Sequence, residues 1–179
     1  MTPVAPGSVI GILGGGQLGR MLANAAQRLG FDVDIYCPED DPPAARVARH
    51  HWKGAYDNKA LLTEFAEACA VITLEFENIP VIAADVIEAT GHHLYPGAKS
   101  LAVSQDRAEE KAFLNDIGIA TADYRVINSD HDIAKALPEL GGTGLLKTRR
   151  DGYDGKGQAW VRSPDDIAAA WAGVGAAPC

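Results

Sequence analysis

The chain has 179 residues, 47% of them hydrophobic and 22% charged, with a formal net charge of −8. That composition belongs to globular proteins, as one ordinary domain or two small ones. The acidic balance argues against a general nucleic-acid or membrane-surface binder, which needs a spread of positive charge. No apolar run is long enough to span a bilayer, and residues 1–8 lack the basic and apolar regions of a secretory signal. Cys37, Cys69 and Cys179 show no metal-ligand spacing, so reduced thiols in a cytoplasmic protein are the default reading. His50, His51, His92, His93 and His131 also lack ligand spacing and read as surface or structural residues.

Residues 9–13 (VIGIL) form a short apolar run ending in glycines, which predicts a buried parallel strand. Residues 17–29 place Leu18, Met21, Leu22, Ala25 and Leu29 at helical spacing, with Gly30 as the stop. Residues 31–37 (FDVDIYC) alternate as a second strand, and the acidic, proline-containing 38–43 is a loop. A helix is predicted over 58–68, with Leu61, Leu62, Phe65 and Ala66 on one face. A third strand over 71–74 (VITL) ends at Glu75, and a helix over 80–89 has proline at its start. This βαβ alternation predicts an α/β fold with a doubly wound parallel sheet over residues 1–100.

The pattern then changes. Residues 106–117 (DRAEEKAFLNDI) read as a charged amphipathic helix closed by Gly118, 124–127 as a strand and 130–140 as a helix. Short strands over 144–148 and 157–161 flank a basic loop, and Ser163 and Pro164 stand as N-cap and first residue of a last helix. The expected organisation is a sheet domain over 1–100, linking helices over 101–118 and a small α+β domain over 119–179.

Two segments carry chemistry. Lys147, Arg149, Arg150 and Lys156 are interleaved with Gly152, Gly155 and Gly157, a flexible loop rich in backbone N–H groups and positive charge, suited to closing over a polyphosphate. Gly14, Gly16 and Gly19 satisfy G-x-G-x-x-G between a strand and a helix, with Glu39 twenty residues beyond Gly19. That pattern fits a dinucleotide site, another ligand at the helix N-terminus faced by Gln17 and Arg20, or a tight turn with close helix packing; all three stay open. Each charged candidate also has a bland alternative. Arg107 on a charged helix is commonly solvated or ion-paired, Lys147 in a strand snorkels from a sheet edge, and Glu75 with Glu77 makes a polar strand end.

Four segments in this order, GILGGGQLGRM (11–21), TLEFENIP (73–80), QDRAEEKAFL (105–114) and LKTRRDGYDGKGQ (146–158), resemble the N5-carboxyaminoimidazole ribonucleotide synthetase family of ATP-grasp ligases. The resemblance implies a preATP-grasp domain, a small lid and an ATP-grasp domain. It implies an activity that joins aminoimidazole ribonucleotide, bicarbonate and ATP through carboxyphosphate, releasing ADP and phosphate in purine biosynthesis, and a homodimer. Carried to this sequence, it implies nucleotide contacts from Arg107, Lys147 and the loop Gly152, Tyr153, Asp154, Gly155, Lys156, Gly157 and Gln158. Of these, Lys147, Tyr153, Asp154 and Lys156 would act at the reacting groups. Substrate contacts would come from Gln17, Leu18, Glu75, Tyr153 and Asp154.

The family's acidic residues and asparagine that hold Mg²⁺ have no counterpart in these 179 residues, so the chain is expected to be an N-terminal portion that lacks the C-terminal ATP-grasp domain and does not turn over alone. Asp151 stands where the family usually has glycine, and pairing with Arg149 and Arg150 would lower the loop's positive field. The competing functions are another ATP-grasp ligase (glycinamide ribonucleotide transformylase or biotin carboxylase), a NAD-binding oxidoreductase based on the glycine loop, or an inactive binding fragment.

Overall fold

The computed structural model describes residues 3–152 and 154–179. The chain divides into two compact units, Met1–Ala102 and Val103–Cys179. The first holds strands β1 (Val9–Leu13), β2 (Asp32–Cys37), β3 (His50–Lys53) and β4 (Val71–Leu74), with helices α1 (Gln17–Arg28), α2 (Lys59–Glu67), α3 (Val81–Ala89) and most of α4 (Ala98–Ser104), within which the division falls. The strands make one parallel sheet in the order β3-β2-β1-β4.

Side chains alternate across a strand, and the two faces of this sheet feed two cores. Val33, Ile35 and Cys37 of β2 join Ile12, Ala23 and Ala44 on one side. On the other, Leu13 and Tyr36 pack with Leu62, Phe65, Ile72, Ala83, Ile87 and Leu101. Helices therefore cover both faces, the doubly wound arrangement that the βαβ alternation predicts.

The helix over residues 17–28 forms, but not on the expected face. Leu18, Met21, Leu22 and Leu29 are exposed, Met21 by 65% and Leu29 by 70%, while Gly19 and Ala23 are the buried residues. The reason is close approach. A Cβ on Gly19 would stand 3.1 Å from the Gly14 carbonyl oxygen and 3.4 Å from Ala44 Cβ, so only the small-residue stripe fits against the sheet.

Strand β3 has no apolar signature in sequence because polar contacts hold it. Asp34 points from β2 into the interior, fully buried. Its carboxylate accepts from Arg49 Nε and Nη2, each at 2.8 Å, and from Trp52 Nε1 at 3.0 Å. A buried carboxylate is tolerated only when so paired, and the pairing fixes β3 beside β2.

The second unit holds α5 (Arg107–Asp116), α6 (Asp130–Glu139), the antiparallel hairpin β5 (Gly144–Lys147) and β6 (Gln158–Val161), a 3-10 turn at Pro164–Asp166 and α7 (Ile167–Gly173). Its core is Ile127, Ile133, Ala136, Leu137, Leu146, Val161, Ala170 and Val174. Ser163 and Asp166 form a reciprocal capping box ahead of α7. The strand expected over 124–127 is absent. A ladder needs a partner, and in this stretch Ile127 alone exchanges two backbone bonds, at 2.8 and 2.9 Å, with Cys179.

Two outcomes follow. Asp34→Ala leaves the half-exposed Arg49 guanidinium and an indole N–H without their acceptor and lowers stability by about 2 kcal/mol, read by urea unfolding; a loss below about 0.5 kcal/mol would show the triad to be incidental. Burial pushes the buried Cys37 and Cys69 thiols up to about 12, with Glu39 adding to the effect at Cys37. With roughly one part in ten thousand ionised at pH 8, the folded chain should give one fast reaction with an aromatic disulfide reagent, at the half-buried Cys179. Unfolding should release all three thiols.

Candidate functional site

In the first unit, β1 and β4 lie side by side, and their C-terminal ends bring Glu75 against the turn that opens α1. The Glu75 N–H donates to the Leu13 carbonyl at 3.1 Å. The Glu75 carboxylate then accepts from the Gly16 N–H through Oε1 at 2.6 Å and from the Gly19 N–H through Oε2 at 2.5 Å. Gly16 is the N-cap of α1 and has no side chain to cap with. Glu75 supplies the missing cap from a different strand, satisfying two of the orphan donors and placing a negative charge at the positive end of the helix dipole.

The glycine pattern is built around that carboxylate. Gly14 has φ +102°, a left-handed value, and a Cβ there would stand 2.5 Å from Glu75 Cγ; a Cβ on Gly19 would stand 2.9 Å from Oε2. The N–H groups at Gly16 and Gly19 that a dinucleotide pyrophosphate would need are occupied by Glu75, which removes the support for the NAD reading. Glu39 instead lies close enough to the Cys37 thiol to help raise its pKa. Gln17 and Leu18 lie between the two anchored glycines and are exposed, so the structure gathers Gln17, Leu18 and Glu75 at one end of the sheet.

In the second unit, Lys147 ends β5 opposite Gln158, which begins β6, and the basic loop joins them. Thr148 N–H donates to the Gly157 carbonyl at 2.8 Å, closing the loop's base. A cavity of about 760 Å³ is lined by Arg107, Lys111, Tyr124, Ile127, Leu146 and Lys147, among others, a size ordinary for small-ligand sites. Arg107 and Lys147 thus share one cavity. Arg107 also donates from Nη2 to the Gly152 carbonyl at 2.7 Å. Lys147, Asp154, Gly155 and Lys156 are exposed, and Tyr153 lies outside the described residues.

Arg149 and Arg150 do not face a ligand as free cations. Arg149 Nη2 lies 2.8 Å from Asp106 Oδ2 and 3.5 Å from Glu109 Oε1; Arg150 Nε lies 3.8 Å from Asp106, and its Nη1 donates to Gln105 Oε1 at 3.4 Å. The Asp106 carboxyl is desolvated by burial, yet Arg149 and two backbone N–H groups hold it below the usual carboxylate range. Asp106 was hidden in sequence inside a charged helix. The signal that marks it is an aspartate immediately before a helical run, the N-cap position. The pairing of Arg149 and Arg150 with Asp151 does not occur, since Asp106 takes both. Asp151 instead adopts φ +59°, the left-handed region that glycine enters freely and that aspartate tolerates better than most residues. That backbone requirement accounts for both glycine and aspartate at this position.

Among the described residues no group of three or more His, Cys, Asp or Glu side chains is arranged to hold a metal ion. No described helix is long and apolar enough to cross a membrane.

The ribonucleotide synthetase preATP-grasp domain model matches residues 8–105, and the ATP-grasp domain model matches 112–179. An N5-carboxyaminoimidazole ribonucleotide synthase of Brucella melitensis is 50% identical over 99% of this chain and 49% of its own length. A solved N5-carboxyaminoimidazole ribonucleotide synthetase in complex with ADP superposes with a TM-score of 0.89 at 37% identity, over 98% of this chain and 46% of that one. The Aspergillus clavatus enzyme in complex with ADP and 5-aminoimidazole ribonucleotide gives 0.80 at 29% identity, over 94% and 44%. The chain therefore spans about half the length of the curated relatives it matches. With the preATP-grasp model covering more than half of it, and the ATP-grasp model most of the remainder, the chain belongs to the N5-carboxyaminoimidazole ribonucleotide synthetase family of ATP-grasp proteins.

Proposed function

We propose that this chain serves an ATP-dependent ligase that carboxylates 5-aminoimidazole ribonucleotide with bicarbonate, in purine biosynthesis. The observation that carries the reading is the shared cavity of Arg107 and Lys147 at the base of the glycine-rich hairpin. The solved relatives bound to ADP, to ATP and to ADP with aminoimidazole ribonucleotide support it.

In the proposed reaction a bicarbonate oxygen attacks the γ-phosphorus of ATP, ADP leaves, and carboxyphosphate forms. The exocyclic amine of the aminoimidazole then attacks the carboxyl carbon, the C–O bond to phosphate breaks, and inorganic phosphate and the N-carboxy product remain. Phosphoryl transfer of this kind needs positioning and charge stabilisation more than covalent help. Lys147, a point cation at the cavity wall, neutralises phosphate oxygens, and Arg107 adds a guanidinium. The loop over residues 152–158 covers the phosphates and keeps water from carboxyphosphate, with Asp154, Lys156 and Tyr153 at the reacting groups. Glu75, acceptor-only when ionised, takes a hydrogen bond from the aminoimidazole amine or a ribose hydroxyl beside Gln17 and Leu18. Magnesium is proposed as the companion of the bound polyphosphate; the described residues fit no metal site, and no step here runs through the ion. A cytoplasmic homodimer completes the proposal, supported by the three free thiols and by the exposed apolar residues of α1.

Titration of the chain with ATP, aminoimidazole ribonucleotide and NAD, followed by calorimetry and thermal shift, tests this reading. ATP should bind and NAD should not, and Lys147→Ala should raise the ATP dissociation constant at least tenfold, the loss of one charge-assisted contact. Stabilisation by NAD alone would refute the assignment. Asp151→Gly should relieve the left-handed backbone and remove a carboxylate from the loop, raising the unfolding temperature slightly and tightening ATP about twofold to fivefold. Weaker ATP binding in that variant would give the Asp151 carboxylate a positive role.

A further inference from the structure

We infer that Asp106 is the positioning residue of the hairpin loop, holding the loop's base against the first turn of α5. The inference rests on the reading of that loop as a phosphate cover.

Helix α5 contributes no buried residue. Its apolar residues Ala112, Phe113 and Leu114 are at most partly buried, a weak form of the usual source of stability for a short helix, so polar ties at its start help to fix it. Asp106 makes most of them. It is 7% exposed. Its Oδ1 accepts from the Ala108 N–H at 2.9 Å, the Glu109 N–H at 3.4 Å and Arg149 Nε at 2.9 Å, and its Oδ2 lies 2.8 Å from Arg149 Nη2. One carboxylate is thus both the N-cap of α5 and the bidentate partner of the second residue beyond β5. A partly buried fork of this type is far stronger than a surface ion pair.

Two further bonds from the adjacent residue complete the clasp. The Arg107 N–H donates to the Arg149 carbonyl at 3.0 Å, and Arg107 Nη2 donates to the Gly152 carbonyl. Residues 106 and 107 therefore grip Arg149, Arg150 and Gly152 where the loop leaves β5. Thr148 N–H to the Gly157 carbonyl and Arg149 N–H to the Pro178 carbonyl also hold the base, whereas further out Asp151 and Asp154 are exposed and left-handed. Freed from Asp106, Arg149 would keep only the 3.5 Å contact with Glu109 and Arg150 would lose its carboxylate, and the carbonyl that orients Arg107 would move. Asp106 acts through these neighbours.

The test compares Asp106→Asn, Arg149→Gln and the double variant in the 179-residue chain. Asparagine is as good an N-cap as aspartate, so the helix is retained, and circular dichroism checks that it is. Both single variants should speed hydrogen exchange of the Arg107 and Arg149 amides about tenfold and weaken ATP binding about fivefold. The double variant should be no worse than either single, the coupling expected of one shared interaction. Additive effects, or unchanged exchange in Asp106→Asn, would overturn the inference, as would faster exchange with an unaltered ATP dissociation constant. A wild-type chain that binds no ATP would refute the nucleotide reading of the loop, while coupled exchange in that same chain would still uphold the clasp.

Discussion

The unsatisfied N–H groups at a helix N-terminus are the constraint on which both units depend. Such groups need an acceptor, and a negative one is favoured by the helix dipole. In the first unit Glu75 reaches α1 from the end of β4 and takes the Gly16 and Gly19 donors. In the second, Asp106 takes the Ala108 and Glu109 donors of α5 and draws in Arg149. One carboxylate locks strand to helix, the other helix to hairpin. Each contact is worth about 1.5–3 kcal/mol as a hydrogen bond to a charged group, and each decides where a loop sits.

The same constraint redistributes the charge of the basic loop. In sequence four cations look equivalent. In three dimensions Asp106 pairs closely with Arg149 and more loosely with Arg150 and uses them as fastenings, with Glu109 a second carboxylate near Arg149, while Lys147 stays exposed at the cavity wall and Arg107 is aimed by its bond to Gly152. A loop that must cover an anion and still open cannot hold all its positive charge free, because like charges a few ångströms apart repel in the empty state. Pairing two of the cations at the base lowers that repulsion and, under the proposed function, leaves the outer residues to meet the ligand.

Much of the architecture was legible because it is written in periodicity. The apolar runs of β1 and β4, the alternation of β2 and the cap at Ser163 placed most elements within a residue or two. What was not legible depended on polar contacts between distant residues. Strand β3 is held by Asp34 with Arg49 and Trp52, a triad that no local pattern announces. The buried face of α1 was misread because apolarity is a poor guide where backbones approach closely, and glycine and alanine win the interior. The segment 124–127 has strand alternation but lacks a neighbour along most of its length. Lys147, Arg107 and Glu75 were proposed as site residues through a family pattern; Asp106 was passed over because an N-cap aspartate in a charged helix looks like one more surface acid.

The glycine fingerprint shows why a motif has to be read with its occupant. G-x-G-x-x-G requires only that something approach the backbone closely at a helix start and accept its N–H groups. A pyrophosphate meets that requirement, and so does a carboxylate carried by a neighbouring strand. The two cases differ at one position, the residue that follows the adjacent strand: a small or apolar residue there leaves the donors open, whereas a glutamate long enough to reach them closes the site from within. Here Glu75 is that residue, and the glycines at 14 and 19 leave the space its side chain fills. The fingerprint thus marks a helix N-terminus that holds an anion, and the chain supplies the anion itself. What remains available at this end of the sheet is the outward side of a fixed carboxylate, an acceptor suited to an amine or a hydroxyl and unsuited to a phosphate.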